Sequence, residues 1–265
     1  MIRLRPTMLV SDWMTTPVHT VDAGTPLATC AERMRTLGIR HLPVVDASGV
    51  CVAVLTDAGF AQRGAFVAGT WVPYDEADTK LVARKVAVTP EVTAVPDDPL
   101  RDVLERLLAA FQDCVLVLDP AGAPIGIFTE HDVVAHAREL LPDGDVSEVA
   151  RRDLPLLEAS MDALDARSWM ARKRHRHALV VDGGVLTGVL SHRDVALEDA
   201  IQDATLRDIA SRPVARTEPI AAREVARILH AHKYGCLPLV DEHGRPVGIV
   251  TRVEILQAVI AALGE

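Results

Sequence analysis

The sequence predicts an α/β protein built from four tandem repeats, each a small sheet with two helices. Three short patterns recur in the same order along the 265 residues. They are an opening segment with a proline, an apolar run that ends in Asp, and a hydroxyl–acid motif. Self-similarity at a fixed period is typical of repeat architectures. The four motif hydroxyls, at residues 56, 129, 191 and 251, set a period of roughly 60 residues.

Each repeat begins with its opening segment, which predicts a loop and a short strand. The four segments are Trp13-Met14-Thr15-Thr16-Pro17-Val18, Val86-Ala87-Val88-Thr89-Pro90-Glu91, Arg151-Arg152-Asp153-Leu154-Pro155-Leu156 and Ile209-Ala210-Ser211-Arg212-Pro213-Val214. A helix is expected next, because apolar residues then recur with helical spacing. In repeat two this stripe is Leu100, Val103, Leu104, Leu107, Leu108 and Phe111, and in repeat four it is Val225, Ile228 and Leu229.

A β-hairpin is predicted in the second half of each repeat. An apolar run ends in Asp, a Gly-containing turn follows, and a second apolar run leads to the motif hydroxyl. From the Asp to the hydroxyl, at 46–56, 119–129, 182–191 and 241–251, the distance is ten, ten, nine and ten residues. Asp and Gly between apolar runs are a strong hairpin signal.

The hydroxyl–acid motif closes each hairpin and opens the second helix. Its general form is a small residue, two apolar residues, a hydroxyl, two variable positions and a carboxylate, as in 126–132. Ser and Thr are favoured at helix N-caps, and an acid suits the first turn of a helix. The amides of a helix start also bind anions. The motif therefore fits both a plain helix cap and a site for a sugar-phosphate.

The repeats are expected at 8–64, 81–141, 147–202 and 205–263, as two modules at 8–141 and 147–263. The first spacing between hydroxyls is longer than the others, and residues 63–80 account for the difference. This segment is interpreted as a linker with room for packed structure of its own.

Composition narrows the class of protein. A formal net charge of −9 and only nine aromatic residues argue against a general nucleic-acid binder. The four cysteines are scattered, without a Cys-x-x-Cys pair, which favours reduced thiols in a cytoplasmic protein. Neither a signal peptide at the start nor an apolar run near the ~18–20 residues of a membrane span is apparent.

Taken together, the three patterns resemble the CBS domain, named for cystathionine beta-synthase. The resemblance runs from about Leu9 to Leu263, and the four-repeat arrangement is similar to the gamma subunit of AMP-activated protein kinase. It implies that repeats one and two, and three and four, pair about pseudo-twofold axes into Bateman modules. It also implies that adenosine-containing ligands (AMP, ADP, ATP, S-adenosylmethionine, sometimes NAD) bind in clefts between paired repeats.

The resemblance assigns roles within the hydroxyl–acid motif. The acid holds the ribose hydroxyls, and the Ser or Thr lies near phosphate. Repeat two keeps both groups as Thr129 and Asp132, and repeat three keeps both as Ser191 and Asp194. Binding is favoured over a purely capping role for these two pairs.

The motifs of repeats one and four are eroded. Repeat four has Thr251 but the longer Glu254, and repeat one has Thr56 but Gly59 in place of the acid. A helix cap is the favoured interpretation for both hydroxyls. The opening segments, including Thr16 and Thr89, are expected to contact ligand partly through backbone.

Basic residues suggest where phosphate is held. Arg40-His41 and Arg176-His177 lie just before the first hairpin strand of repeats one and three, where repeats two and four have Asp113-Cys114 and Gly235-Cys236. By resemblance these basic pairs grip phosphate, and the first could serve a ligand anchored by Asp132. Arg binds phosphate bidentately. A solvated helix end is an equally good interpretation of the longer basic run at 172–177.

The function expected from the sequence is a non-enzymatic sensor of AMP, ADP or ATP that regulates a protein partner without a metal. Two alternatives stay open: a structural or oligomerisation module, for example a homodimer, with vestigial pockets, and a binder of S-adenosylmethionine or NAD. An enzyme such as a nucleotide hydrolase is the least favoured class, because no Walker loop and no nucleophile motif is present.

Overall fold

In the computed structural model the chain forms two units, Met1–Asp132 and Val133–Glu265. The structure describes residues 7–67, 70–141, 144–195 and 201–264. Within these residues each unit holds two three-stranded sheets, one from each predicted repeat. The predicted α/β class and the four-repeat organisation are therefore confirmed.

Repeat one shows how the sequence patterns become elements. In chain order they are a 3-10 turn (Val10–Asp12), β1 (Val21–Asp22), α1 (Leu27–Leu37), β2 (His41–Val45), β3 (Cys51–Thr56) and α2 (Asp57–Ala61). β1 pairs in parallel with β2, and β2 pairs antiparallel with β3. α1 buries one face at helical spacing, including Leu27 and Met34, against this sheet. It ends at Gly38, whose φ of 66° is the left-handed conformation that closes many helices.

The segment after repeat one has structure of its own. It forms a two-stranded antiparallel sheet of β4 (Gly64–Val67) and β5 (Thr70–Pro73), followed by a 3-10 turn (Glu76–Lys80). Trp71 of β5 is buried and packs into the core of repeat one. This packing ties the segment to the sheet before it.

Repeat two has the same plan. Its elements are α3 (Ala83–Val86), β6 (Thr93–Ala94), α4 (Leu100–Ala110), β7 (Cys114–Leu118), β8 (Pro124–Thr129) and α5 (Glu130–Leu140). Four residues of the predicted stripe on α4, from Leu100 to Leu107, are fully buried. Phe111 is an exception to that stripe: it follows the helix with a left-handed φ of 58° and is 36% exposed. The chain turns there, so the helical spacing no longer points its side chain at the core.

Unit two contains repeats three and four. Repeat three is a 3-10 turn (Val146–Glu148), β9 (Leu156–Glu158), α6 (Ala163–Lys173), β10 (His177–Asp182) and β11 (Val185–Ser191). Repeat four is α7 (Leu206–Ile209), β12 (Arg216–Thr217), α8 (Ala222–Ala231), β13 (Cys236–Val240), β14 (Pro246–Thr251) and α9 (Arg252–Ala262). The predicted second helix of repeat three runs into 196–200, which lie outside the described residues. The predicted stripe on α8 is buried.

The hairpin turns follow directly from their sequence. Asp46, Asp119 and Asp241 each accept two backbone N–H bonds on Oδ1, which wraps the turn around the carboxylate. Repeat three instead uses Gly183-Gly184, with φ of 59° and 83°. Two residues of positive φ form the tightest hairpin turn. This shorter turn explains why the Asp-to-hydroxyl distance in repeat three is nine residues and not ten.

Within each unit the opening segment of one repeat lies against the hairpin of the other. Four residue pairs, each joined by two backbone hydrogen bonds, make these contacts: Thr15 with Ile127 and Val88 with Val54 in unit one, and Arg151 with Ile249 and Ser211 with Val189 in unit two. The exchange is reciprocal, as a pseudo-twofold relation requires. The predicted pairing of repeats one with two and three with four is therefore confirmed.

Candidate functional site

The motif of repeat two is a capping box at the start of α5. The Thr129 backbone N–H donates to Asp132 Oδ2 at 2.8 Å, and the Thr129 hydroxyl donates to the same oxygen at 2.9 Å. The hydroxyl oxygen accepts from the His131 N–H. These bonds satisfy groups that a helix start leaves without partners. Across the described part of the chain Asp132 Oδ1 makes no hydrogen bond, so one carboxylate oxygen is available to a ligand.

The motif of repeat three is similar in backbone geometry. The Ser191 N–H donates to Asp194 Oδ2 at 2.6 Å, and the Asp194 N–H donates to the Ser191 carbonyl at 3.0 Å. Both side chains are partly exposed. The structure thus places the hydroxyl and the acid side by side and accessible from solvent.

The motif of repeat four is closed by the protein itself. Thr251 and Glu254 are 7% and 6% exposed, and the Thr251 N–H and hydroxyl donate to Glu254 Oε2 at 2.7 and 2.5 Å. The other oxygen, Oε1, lies 3.6 Å from Nε of Arg151 in the opening segment of repeat three. One carboxylate oxygen therefore accepts the hydrogen bonds of the cap, and the other lies at ion-pair distance from Arg151.

The motif of repeat one keeps only the cap. Thr56 Oγ1 accepts from the Gly59 N–H at 3.2 Å. A Cβ added at Gly59 would come no nearer to its surroundings than 3.4 Å, at Val86 Cγ1. That is an ordinary van der Waals distance, so this position accepts a Cβ without a close contact.

The small residue of the motif has a packing role that the sequence analysis did not identify. A Cβ on Gly126 would lie 2.7 Å from Sδ of Met14, and a Cβ on Gly188 would lie 2.7 Å from Cβ of Ala210. Met14 and Ala210 come one residue before the opening-segment contacts of the partner repeats. A Cβ at either glycine would therefore displace the side chain that the opening segment of the partner repeat places against the strand.

The crossing brings each opening segment beside one motif. Thr16 donates its hydroxyl to the Ile125 carbonyl at 3.0 Å, on the strand that leads to Thr129. Thr89 is exposed and follows Val88, which pairs with the strand that leads to the eroded motif of repeat one. Of the two predicted threonines, Thr16 is the one near an intact motif.

Strand pairing places a specific residue opposite each motif hydroxyl. The four pairs are His41 with Thr56, Cys114 with Thr129, His177 with Ser191 and Cys236 with Thr251. Directly opposed residues in an antiparallel pair have Cβ atoms about 5 Å apart. Among the four repeats, repeat three is the one in which an intact motif faces a basic residue.

In unit one the predicted phosphate-binding residues have carboxylate neighbours. Arg40 Nε lies 3.9 Å from Asp57 Oδ2, and Nε2 of the buried His41 lies 2.9 Å from Asp113 Oδ1. Asp113 occupies in repeat two the position that Arg40 occupies in repeat one. A phosphate-binding role for Arg40 and His41 stays a prediction, and it would require them to leave these neighbours.

In unit two the equivalent histidine is surrounded by positive charge. His177 lies over Gly235, since a Cβ there would be 2.0 Å from its Nε2. Burial, and after it the positive charge of four basic neighbours, lowers the pKa of His177 to about 3. These neighbours are His192, Arg252, Arg193 and Arg176. The positive potential at this point suits an anionic ligand.

Some of the residues in this basic cluster escaped the sequence analysis. Arg193 is a variable position within the motif of repeat three, and Arg252 follows the motif hydroxyl of repeat four. Their position within two residues after a motif hydroxyl, in repeats that pair with each other, is the signal that could have found them. In the sequence, Asp113 differs from Arg40 at the equivalent position by lacking a positive charge, and this difference alone does not reveal its contact with His41.

Comparison with known families identifies the fold. The model of the CBS domain matches residues 10–62, 83–139, 146–200 and 206–261. These four stretches cover most of the chain, so the chain belongs to the CBS domain family and has four CBS domains. Pairs of CBS domains are regulatory ligand-binding modules.

The chain is similar to other proteins over most of its length. Over 243 residues the chain is 24% identical to an uncharacterized 33.4 kDa protein in the ribosomal RNA operon of Thermofilum pendens, across 82% of this chain and 80% of that one. A Methanocaldococcus jannaschii structure, described as a candidate archaeal homolog of g-AMPK, has a TM-score of 0.76 at 19% identity and covers 94% of this chain and 99% of its own. A conserved protein from Pyrococcus horikoshii has a TM-score of 0.66 at 19% identity, with 95% and 100% covered. At these identities the two structures show the fold.

Among the residues that the structure describes, no helix combines the length and the apolar character needed to cross a membrane.

Proposed function

We propose that this chain is a non-enzymatic cytoplasmic sensor that binds an adenine nucleotide, AMP, ADP or ATP, and regulates a protein partner. The observation that carries the proposal is the strand pair of repeat three. There Ser191 of an intact motif stands opposite His177. Side chains of this hairpin and of its neighbours would thus contact both the sugar and the phosphate of a nucleotide.

The chemistry of the two ends is complementary to a nucleotide. Asp194 accepts hydrogen bonds from ribose hydroxyls. Arg176 and Arg193, beside His177, supply planar guanidinium groups that match phosphate oxygens. Burial is the main cause of the lowered pKa of His177, and the basic cluster adds to it. The same positive charges stabilise an anion that binds there.

A second, weaker site is proposed at the motif of repeat two. Asp132 offers its Oδ1, and Thr16 lies on the strand that leads to the motif. The residue opposite Thr129 is Cys114 and not a base. This site therefore holds the sugar well and the phosphate poorly, unless Arg40 and His41 turn toward it.

The fold explains how binding could become a signal. In each unit the opening segment of one repeat is hydrogen-bonded to the strand that carries the motif of the other. A ligand held by both the opening segment and the motif would favour one arrangement of the two repeats. A partner that binds this arrangement preferentially would respond to the ligand. The description of the Methanocaldococcus jannaschii neighbour as a candidate homolog of g-AMPK is in line with this role.

Thermal unfolding with a ligand panel tests the proposal. AMP, ADP, ATP, S-adenosylmethionine and NAD are each added to the full chain. A ligand that binds only the folded state stabilises it by RT ln(1 + [L]/Kd), about 2.7 kcal/mol at a hundredfold excess over Kd. We expect AMP, ADP or ATP to raise the melting temperature most. The absence of a shift with all five would overturn the proposal.

Two substitutions test the site itself. Asp194→Ala and Asp132→Ala should each weaken nucleotide binding by about 1–3 kcal/mol, measured by calorimetry, as for a hydrogen bond to a charged group. Asp208→Ala is the matched control. Asp208 caps α7 through Thr205 with the same capping-box bonds, at 2.9 and 2.7 Å, but belongs to no motif. Equal affinity in all three variants would show that the motif acids serve only as caps.

A structural role is the second candidate, and the closed motif of repeat four favours it there. Glu254 uses both oxygens within the protein. If all four motifs served only structure, sedimentation would give an assembly, such as a dimer, of unchanged mass in the presence of each nucleotide, together with no thermal shift.

A further inference from the structure

A histidine, a carboxylate and a thiol converge in unit one, apart from the motif carboxylates. A ring nitrogen of His41, a carboxylate oxygen of Asp113 and Sγ of Cys114 all lie within 4.8 Å of one another. His41 and Cys114 are buried, whereas the Asp113 side chain is 38% exposed. The cluster is therefore enclosed on the protein side and open to solvent at the carboxylate.

We propose that His41, Asp113 and Cys114 bind one Zn²⁺ ion, with the fourth coordination position open to water or a partner group. One nitrogen, one oxygen and one sulfur ligand form a typical zinc donor set. Zinc–ligand bonds of roughly 2.0–2.3 Å place tetrahedral ligand atoms about 3–4 Å apart. The measured separations, 2.9 Å between His41 and Asp113 and at most 4.8 Å overall, require only small side-chain movements.

The backbone holds the three ligands in place. His41 begins β2 and is paired with Thr56, and Cys114 begins β7 and is paired with Thr129. The Asp113 carbonyl accepts the Glu130 N–H at 3.0 Å. Ligands on rigid strand ends are positioned more accurately than ligands on loops.

The donor set also selects the class of metal. A thiolate favours zinc and other borderline or soft metals over Mg²⁺ and Ca²⁺, which prefer oxygen ligands. Glu130, buried at the start of α5, adds negative charge near the thiol. On coordination the Cys114 proton leaves to solvent, and the proton of the neutral His41 ring moves from Nε2 to Nδ1 by exchange with solvent. Metal bonds to His41 and Asp113 replace the hydrogen bond between them.

Unit two supplies a natural comparison for the proposed site. His177 and Cys236 occupy the positions equivalent to His41 and Cys114, but Gly235 stands where Asp113 would be. Basic side chains around His177 also repel a cation. The proposed Zn²⁺ site is therefore in unit one and not at the equivalent position of unit two.

Cobalt titration of the tag-free full chain tests the inference. Co²⁺ is a spectroscopic substitute for Zn²⁺, and a thiolate ligand gives it a charge-transfer band in the near ultraviolet. We expect one Co²⁺ per chain with this band, and its loss when one equivalent of Zn²⁺ is added. Failure of the wild-type chain to bind a stoichiometric ion would overturn the proposal, whatever the outcome of the nucleotide panel.

Three variants assign the ligands. Cys114→Ser should abolish the band, Asp113→Asn should weaken Zn²⁺ binding at least tenfold while keeping the thiol, and Cys236→Ser in unit two should change neither. Circular dichroism checks that each variant folds. If Cys114→Ser does not fold, the Zn²⁺ affinity of Asp113→Asn decides the test. A band that survives Cys114→Ser, or that is lost equally in Cys236→Ser, would contradict the proposed site.

Discussion

The two units place equivalent histidines in opposite electrostatic surroundings. His41 of unit one lies 2.9 Å from the carboxylate of Asp113, whereas His177 of unit two lies over Gly235 among basic side chains. The strand pairing around both is the same. Asp113 occupies the position that Gly235 has in unit two. In the motifs, Asp57 and Glu130 occupy the positions of the basic residues His192 and Arg252. The fold tolerates both because backbone hydrogen bonds, and not these side chains, build the sheets.

The motifs of repeats two and four teach a related lesson. Both form the same capping box, but Asp132 keeps one oxygen for a ligand and Glu254 gives its second oxygen to Arg151. A single methylene separates the two side chains. Local structure is preserved in both, so a helix cap by itself does not reveal whether a site can bind.

The largest effect on stability is expected at Gly235, where an added side chain would collide with His177. Gly235→Ala would place a Cβ 2.0 Å from Nε2 of His177, so the ring must move. Overpacking of this kind costs about 1–3 kcal/mol, and we expect the upper end in urea unfolding. Gly24→Ala is the control, because a Cβ there meets nothing within 4 Å. A double variant with His177→Ala should recover most of the loss, and equal stability of Gly235→Ala and Gly24→Ala would refute the packing.

The basic surroundings of His177 predict a loss of stability in mild acid. Burial, with His192, Arg252, Arg193 and Arg176 nearby, lowers its pKa from 6.5 to about 3. Below pH 6.5 the unfolded chain gains a proton that the folded chain does not gain until about pH 3. The free energy of unfolding therefore falls by about 1.4 kcal/mol per pH unit in this window, or about 2 kcal/mol at pH 5.

Urea unfolding at pH 7 and pH 5 measures this effect. His177→Gln removes the titrating group and should flatten the pH dependence by about that amount, because Gln binds no proton in either state. Identical pH dependence in the wild type and the variant would show that His177 titrates normally.

A smaller effect is expected at Asp113 in unit one. Asp113→Asn keeps a hydrogen-bonding group beside His41 but removes the charge, which should cost about 1 kcal/mol in the absence of added metal. Glu105→Gln is the control, since the pair of Arg101 and Glu105 is about half exposed and such pairs contribute little. A cost for Asp113→Asn no greater than that of the control would contradict a stabilising contact with His41.

The sequence predicted the local features of this fold well. The hairpins, their nine- and ten-residue spacing and the caps at Thr129 and Thr251 depend on Asp–Gly turns and on residues three apart, which sequence patterns report directly. The contact between His41 and Asp113 joins residues 72 positions apart. It depends on how two repeats face each other, which local patterns do not encode. The same applies to the packing of Met14 on Gly126 and to the pairing of Arg151 with Glu254.

The smallest effect is expected from restoring the acid in repeat one. Gly59→Asp meets only an ordinary contact, 3.4 Å from Val86 Cγ1, and can complete a capping box with Thr56. Removing a helical glycine and adding an acid in the first turn should stabilise the chain by a few tenths of a kcal/mol. Gly59→Ala measures the change in stability from removing the glycine without adding the acid. Because His41 stands opposite Thr56, the Asp variant would have the repeat-three arrangement of hydroxyl, acid and base. Calorimetry should then detect an additional weak nucleotide site in Gly59→Asp and none in Gly59→Ala, whereas destabilisation by more than about 1 kcal/mol would show that the fold has no room for the acid.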